Sequence, residues 1–564
     1  MTGSAGDRRR AVPPFLALGA FVIMLLAGML VPVYSDEIGW RFQERAAVDG
    51  VDIMFNDLCG PNTLAAPPWF MMPVRLFSAA ANQTLASPLF VRIEGIACAL
   101  AWTGLLWLLT ARLESNRIAR SRLRAVLFSM LSLGILPFLM VMSRPEQPVI
   151  LMLLLAIVTA LSRRGAPSSA LLASLKVAAI LLFGWIAMSY HLKGVIYSPV
   201  FFACIAVCAS GRRTIAPQLV AGAVLAALVL FSTQYWTHRF QCLGDPVLTA
   251  KLGKENVAAL LANGGNWLRL AGSLLAGASP LNYIWLAAPA QTNDSWLPGP
   301  DWTAGQIAPF GLAMIALWGG LIVCALVELG RYGLRERLRA LSEPRLLIAL
   351  ALAASLAAWG ASQLHRNFYE ASHYLPMMAV FAALCLTLPG PAWAWRERCL
   401  ALLGMYGPAG ALLSVAIILA TGLGPMIRST ANHGWIPEQR IAVSAFGYGQ
   451  VRNDIAKAMD RAGMVGGRRF NRLLIDDVTY LALQHHTFPL HRLGVLGDWK
   501  GRIADPVAYL RSRHSDGVVI GCRYLPPSMR KVAGRAGDVC AISRRGLDQL
   551  AASGPTRFGE GEEL

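Results

Sequence analysis

The chain has 564 residues, of which 55% are hydrophobic and only 15% charged, and its mean hydropathy is +0.49. Soluble proteins carry about 25% charged residues, so this composition excludes an ordinary soluble enzyme and points to a membrane. The net charge of +19 does not mark a nucleic-acid partner: the Lys and Arg fall in short clusters between apolar runs, which is a topology signal.

A hydrocarbon core of about 30 Å takes about 20 apolar helical residues, and about eleven runs qualify. They lie near 12–33, 88–111, 124–142, 148–162, 169–190, 195–210, 216–232, 306–328, 345–363, 375–390 and 399–424. The first has no small-residue cleavage site before Tyr34, so it is expected to stay as an anchor. Basic clusters at Arg8–Arg10, Arg112–Arg124, Arg163–Arg164, Arg212–Arg213, Arg331–Arg345 and Arg396–Arg398 share one side if these spans alternate. That side is cytoplasmic by the positive-inside rule. The N-terminus is then inside, and the C-terminus outside.

The expected fold is therefore a polytopic α-helical membrane protein of about eleven spans. Residues 1–424 form its membrane part, with outer loops at 34–87 and 233–305. Residues 425–564 form a small extracytoplasmic α/β domain, long enough for its own core. Within that tail, Val451, Ile455, Ala458 and Met459 recur at helical spacing. "RLLIDDV", "GVVIGCRY" and "DVCAIS" read as strands. Cys98, Cys204, Cys208, Cys324, Cys385 and Cys399 fall in spans as small buried hydrophobes. Cys59, Cys242, Cys522 and Cys540 fall outside, where disulfides persist. Four cysteines allow three pairings, of which Cys522–Cys540 with Cys59–Cys242 is preferred.

The outer ends of the spans carry the candidate chemistry. Directly after span one comes "VPVYSDEIGWRFQERA". Ser35 suits a helix cap, and Asp36 and Glu37 suit its first turn. Ile38 and Phe42 make an apolar stripe, as an interfacial helix would. A carboxylate held there can also act as a general base. "AAPPWFMMPVRLF" breaks at Pro67 and Pro68 and then turns apolar, like a re-entrant or interfacial helix. Arg92 and Glu94 enter span two, and "MSRPEQP" sets Arg144 and Glu146 in the turn after span three. Ionisable residues in such places are anchors or functional groups.

This order of motifs resembles the GT-C glycosyltransferases, in particular the protein mannosyltransferase and aminoarabinose transferase branch. The acidic pair matches Asp36 and Glu37, and the acid of the later turn matches Glu146. Ala66 stands where the family has His before Pro-Pro, and Ile93 follows Arg92 where the family often has Pro. The match by motif covers roughly residues 30–165.

The resemblance implies a hexosyl- or pentosyltransferase that takes sugar from a polyprenyl-phosphate donor on the extracytoplasmic side, usually with inversion. Asp36 would be the general base. Glu37 or Glu146 would orient the acceptor (a glycan, lipid or protein) or, in some relatives, help hold a divalent ion. Cations near the leaving phosphate would stabilise its charge; the candidates are Arg75, Arg92, Arg144, His191, Lys193, His365, Arg366 and His373. The Ala-, Leu- and Arg-rich composition suggests a bacterial inner (plasma) membrane.

Trp236, Trp267, Tyr283, Trp285, Trp296 and Trp302 in the second loop suit an interfacial belt. In the tail, Asp476 and Asp477 follow a strand, with His485, His486 and His491 soon after; this grouping could suggest a metal site, but His pairs on a loop suit plain surface better. A transporter or flippase of lipid-linked glycans is the alternative reading, although paired repeats and broken midplane helices are not evident. A non-catalytic scaffold would explain the tail but not the outer acids and cations.

Overall fold

A computed structural model describes residues 14–48, 67–84, 87–162, 170–208, 215–239, 279–288, 304–336, 342–362, 367–390, 394–433, 441–464, 470, 472–485, 490–492, 504–512 and 514–556. Its helices include α1 (Pro14–Ala27), α2 (Ser35–Val48), α3 (Met72–Thr84), α4 (Ile93–Leu113), α5 (Arg117–Leu131), α6 (Glu146–Ala160), α7 (Ala170–Tyr190), α8 (Leu192–Ile196), α9 (Ser198–Val207), α10 (Ile215–Arg239), α11 (Ala304–Glu336), α12 (Pro344–Ser362), α13 (Ala371–Leu386) and α14 (Ala394–Ile417).

The chain is a multi-pass membrane protein. Among the described residues, six helices are long and apolar enough to cross a membrane: Ile93–Leu113, Ala170–Tyr190, Ile215–Trp236, Ala308–Glu336, Pro344–Ala361 and Trp395–Arg428. Three shorter apolar helices, Pro14–Leu30, Glu146–Ala160 and Ser198–Val207, pack among them. The run at 124–142 is not one continuous helix. Gly134 takes a left-handed φ of 63°, which glycine tolerates without strain. Its N–H donates to Ser414 Oγ at 3.1 Å, and the Ile135 N–H donates to the Ala287 carbonyl at 2.9 Å. Hydropathy averaged over a span does not register such a break, because Leu133, Ile135 and Leu136 beside it are still apolar.

Among the described residues, seven strands form two sheets. β1 (Val33–Tyr34) pairs antiparallel with β2 (Ile441–Val443), matching Val33 to Val443 and Tyr34 to Ile441. The second sheet has the order β4-β3-β5-β7-β6, from β3 (Leu473–Ile475), β4 (Leu490–Arg492), β5 (Gly517–Gly521), β6 (Gly534–Ala536) and β7 (Val539–Ser543). β3 is parallel to β4 and β5, and β7 is antiparallel to β5 and β6. Three of these strands, β3, β5 and β7, lie within the segments expected from β-branched runs.

Side chains alternate across this sheet with the period of two that a pleated strand imposes. Leu473, Ile475, Val519 and Ala541 join one core, while Leu474, Val518, Ile520 and Ile542 join another on the opposite face. The first core also takes in Ile38 and Phe42 of α2, and Val91. The apolar stripe of α2 is thus not laid on lipid. It is packed beneath the C-terminal sheet, with the Phe42 ring edge-on to Tyr480 at 6.2 Å. Cys522 and Cys540 form the expected disulfide. Cys59 and Cys242 lie outside the described residues.

Candidate active site

α2 brings the acidic pair between the bundle and the sheet. Its start is set by β1, which ends one residue before it, and Ser35 is already in the first turn. Glu37 reaches back to accept the Tyr34 N–H at 2.9 Å, the back-bond that a capping box makes. The same carboxylate accepts the Ser143 N–H at 2.8 Å. Arg92 completes it, with Nε at 3.0 Å and Nη2 at 2.6 Å. The rest of that guanidinium donates to the carbonyls of Gly28, Val31 and Pro32. Both side chains are buried, and their polar atoms are satisfied by protein.

A second buried pair holds the far end of α2. Glu44 is ion-paired with Arg75 from α3. The Arg75 guanidinium lies over the rings of Trp236 at 4.9 Å and Trp40 at 5.4 Å. Arg75 is therefore enclosed by protein, whereas the sequence made it a candidate for the donor phosphate. The Pro-Pro segment leads into amphipathic α3, as an interfacial helix should, and Trp185 Nε1 donates to the Phe70 carbonyl at 2.7 Å.

Asp36, the residue before Glu37 in the first turn of α2, faces elsewhere. Its side chain is 43% exposed, and Oδ2 lies 3.2 Å from Arg144 Nη1. From there charges alternate inward. Arg144 Nε donates to Glu146 Oε2 at 3.3 Å, and its guanidinium stacks over the Tyr369 ring at 3.7 Å. Glu146, fully buried, is bonded to Lys193 Nζ. Lys193 Nζ also meets Glu370 Oε2 at 2.9 Å. Glu370 is 2.9 Å from His373 Nε2, and His373 Nδ1 is 3.0 Å from the Tyr197 hydroxyl. With Glu370 ionised, Nε2–H donates to it and Nδ1 accepts from Tyr197, which fixes a neutral tautomer. Five charges thus run in the order minus, plus, minus, plus, minus from the accessible end to the buried one.

Glu370 was not a candidate in the sequence. Only its spacing from His373, three residues on a helical turn, could have drawn attention to it. Burial alone would raise its carboxyl, but Lys193 and then His373 outweigh that and hold it below the ordinary glutamate range. His191 lies in the turn between α7 and α8. Its Nδ1 accepts the Lys193 N–H at 3.2 Å and caps α8. Burial first, and then Lys193, push its imidazole well below its usual value. It is a neutral cap packed against Trp40 and Trp236 rather than a cation. His365 and Arg366 lie outside the described residues, as do His486, Trp267, Trp296 and Trp302. Asp476 caps the helix Asp477–Leu483 and accepts the Gly521 N–H at 2.7 Å, and His485 is exposed.

An apolar cavity of about 470 Å³ lies between α3, α4, α6 and α7. Val74, Phe77, Cys98, Leu151 and Trp185 line it. Glu94, on its wall, accepts from the Tyr190 hydroxyl at 3.2 Å.

The residues do not fit the divalent ion that the motif resemblance admits. Glu37 is saturated by Arg92 and two backbone donors, and Lys193 already bridges Glu146 and Glu370. Among the described residues, no three His, Cys, Asp or Glu side chains converge as metal ligands.

No protein-family model matches the sequence, and neither does any curated protein. The fold is similar to solved structures of an archaeal oligosaccharyltransferase, AglB from Archaeoglobus fulgidus. One, in complex with an inhibitory peptide and a dolichol-phosphate, aligns over 90% of this chain and 69% of that one, with 11% identity and a TM-score of 0.39. Another, tethered to an acceptor peptide containing the NVT sequon, aligns over 97% and 74%, with 12% identity and a TM-score of 0.40. These likenesses are distant, so the activity of this chain has to come from its own residues.

Proposed function

We propose that this chain is a membrane glycosyltransferase of the GT-C type, transferring a sugar from a polyprenyl-phosphate donor to an acceptor on the extracytoplasmic side. Asp36 takes the proton of the acceptor hydroxyl. The acceptor oxygen attacks the anomeric carbon, and the bond from that carbon to the lipid phosphate breaks, its electron pair leaving on the phosphate oxygen. The observation that carries this reading is the contrast within the acidic pair. Glu37 is sealed by four hydrogen bonds, while Asp36 is 43% exposed with Arg144 beside it. A general base must lie within hydrogen-bond reach of its proton, and Asp36 has the open side for that.

Arg144 is the cation next to the reacting end, and it keeps Asp36 paired before the acceptor arrives. The apolar cavity suits a prenyl chain. In this reading residues 1–424 are the catalytic part, with a cytoplasmic N-terminus in the inner membrane. Residues 425–564 lie on the outer side and hold α2 in place through β2 and the core under the sheet.

The test uses purified protein, radiolabelled polyprenyl-phosphate sugars and a membrane extract as acceptor source. Wild type is expected to transfer label. Asp36→Asn is expected to lose about 10²–10⁴-fold in rate at an unchanged melting temperature, the range for a general base. Full transfer by a folded Asp36→Asn protein would move the base elsewhere. Absence of transfer from every donor by folded wild type would put the transporter reading ahead.

A further inference from the structure

Lys193 is fully buried, which is rare for an ammonium unless it is paired, and here it lies between two carboxylates. We propose that Lys193 is a resident cation of this site, held between Glu146 and Glu370 where a divalent ion would otherwise sit, so that the site works without a metal. This deepens the transferase reading and rests on it only for what the site is used for.

The geometry favours an ammonium over a metal ion. Nζ bonds Glu146 Oε1 and lies 2.9 Å from Glu370 Oε2. The Trp359 ring is 4.9 Å from Nζ and the Tyr369 ring 6.0 Å. Aromatic faces attract a cation but offer no oxygen. Mg²⁺ wants near-octahedral oxygen ligands and keeps several of its waters. Arg144 takes the remaining charge of Glu146, and His373 takes part of Glu370. Each carboxylate is thus used on two sides by protein cations or donors.

The chain delivers this lysine by a close approach. A Cβ on Gly194 would run into the Ala187 carbonyl and the Met188 nitrogen. Only glycine therefore lets α8 fold back onto the end of α7 and carry the neighbouring Lys193 inward. The His191 cap fixes where α8 begins. Lys193 acts through the two glutamates, so it is a positioning residue.

The test is Mn²⁺ binding, followed by electron paramagnetic resonance, to the full-length protein after dialysis against EDTA. Wild type is expected to show no bound Mn²⁺ that responds to Glu370→Gln. Lys193→Ala leaves two carboxylates facing each other. It is expected to gain one Mn²⁺ at least roughly tenfold tighter than any in wild type, lost again when Glu370→Gln is added. Lys193→Met serves the same purpose if the alanine variant does not fold. The proposal is overturned if wild type binds one Mn²⁺ that Glu370→Gln abolishes. It is also overturned if the folded lysine variants bind no more than wild type. Sugar transfer is not measured, so failure here and failure of the transferase reading are separate results.

Discussion

Arg92 gives the sharpest separation between a residue that builds the site and one that binds substrate. Its guanidinium makes two bonds to Glu37 and three to the carbonyls of Gly28, Val31 and Pro32. Arg92→Leu leaves the Glu37 carboxylate buried with only the Tyr34 and Ser143 N–H groups, and strips the three carbonyls. Breaking a buried pair by removing one partner costs about 3–5 kcal/mol. At roughly 2 °C per kcal/mol, the apparent melting temperature should fall by about 6–10 °C. Arg92→Lys supplies one ammonium for a five-bond fork and should fall in between. Tryptophan fluorescence during heating in detergent reads both. An Arg92→Leu protein that melts like wild type but binds donor weakly would refute this reasoning and make Arg92 a phosphate ligand.

Three further outcomes follow from the same geometry. Glu370 is held below the ordinary glutamate range by Lys193 and His373 despite its burial. The unfolded chain therefore takes up this proton at higher pH than the folded one. Its stabilisation is complete above about pH 4.3 and is lost as pH falls through and below that value. Glu370→Gln should flatten that acid limb of the melting profile, and an unchanged limb would count against the network. Cys98→Phe fills the apolar cavity and should raise the donor KM with little change in kcat; equal loss in both would disconnect the cavity from the donor. The Cys522–Cys540 disulfide closes a loop of 18 residues, which supports about 3 kcal/mol. Cys522→Ser with Cys540→Ser should lower the melting of the sheet, read as earlier amide-hydrogen exchange in β5 and β7.

Six of the about eleven expected spans correspond to described helices long enough to cross a membrane, legible because apolar length is a one-dimensional property, and β3, β5 and β7 were legible too. The antiparallel pairing of Val33 with Val443 was not, since it joins segments more than 400 residues apart by backbone bonds that leave no pattern in side chains. Ile38 and Phe42 showed that α2 has an apolar face, but lipid and protein core demand the same residues there. Asp36, Glu37, Arg92, Arg144, Glu146, Lys193 and His373 all stand out as charged or polar groups near span ends. What the sequence could not show is which of them neutralise one another. Charge type is local, whereas pairing such as Glu44 with Arg75, or Lys193 with Glu370, depends on where helices far apart in the chain meet.

The acidic pair itself follows from helix geometry. Adjacent residues on a helix point about 100° apart and do not face each other. Glu37 is therefore turned to Arg92 and sealed, while Asp36 points out beside Arg144. Each side chain also has the length its place requires. Glu37 must reach Arg92, the Ser143 N–H and the Tyr34 N–H together; an aspartate is one C–C bond, about 1.5 Å, too short. Glu37→Asp should therefore lower stability by about 1–3 kcal/mol, the cost of buried groups left unpaired. Asp36→Glu should leave melting alone and, if Asp36 is the base as proposed, slow transfer, because the carboxylate would no longer sit at its working distance. The double exchange keeps composition and net charge identical, yet should show both defects at once. If either single exchange moved the other's observable instead, the division of labour between the two acids would be wrong.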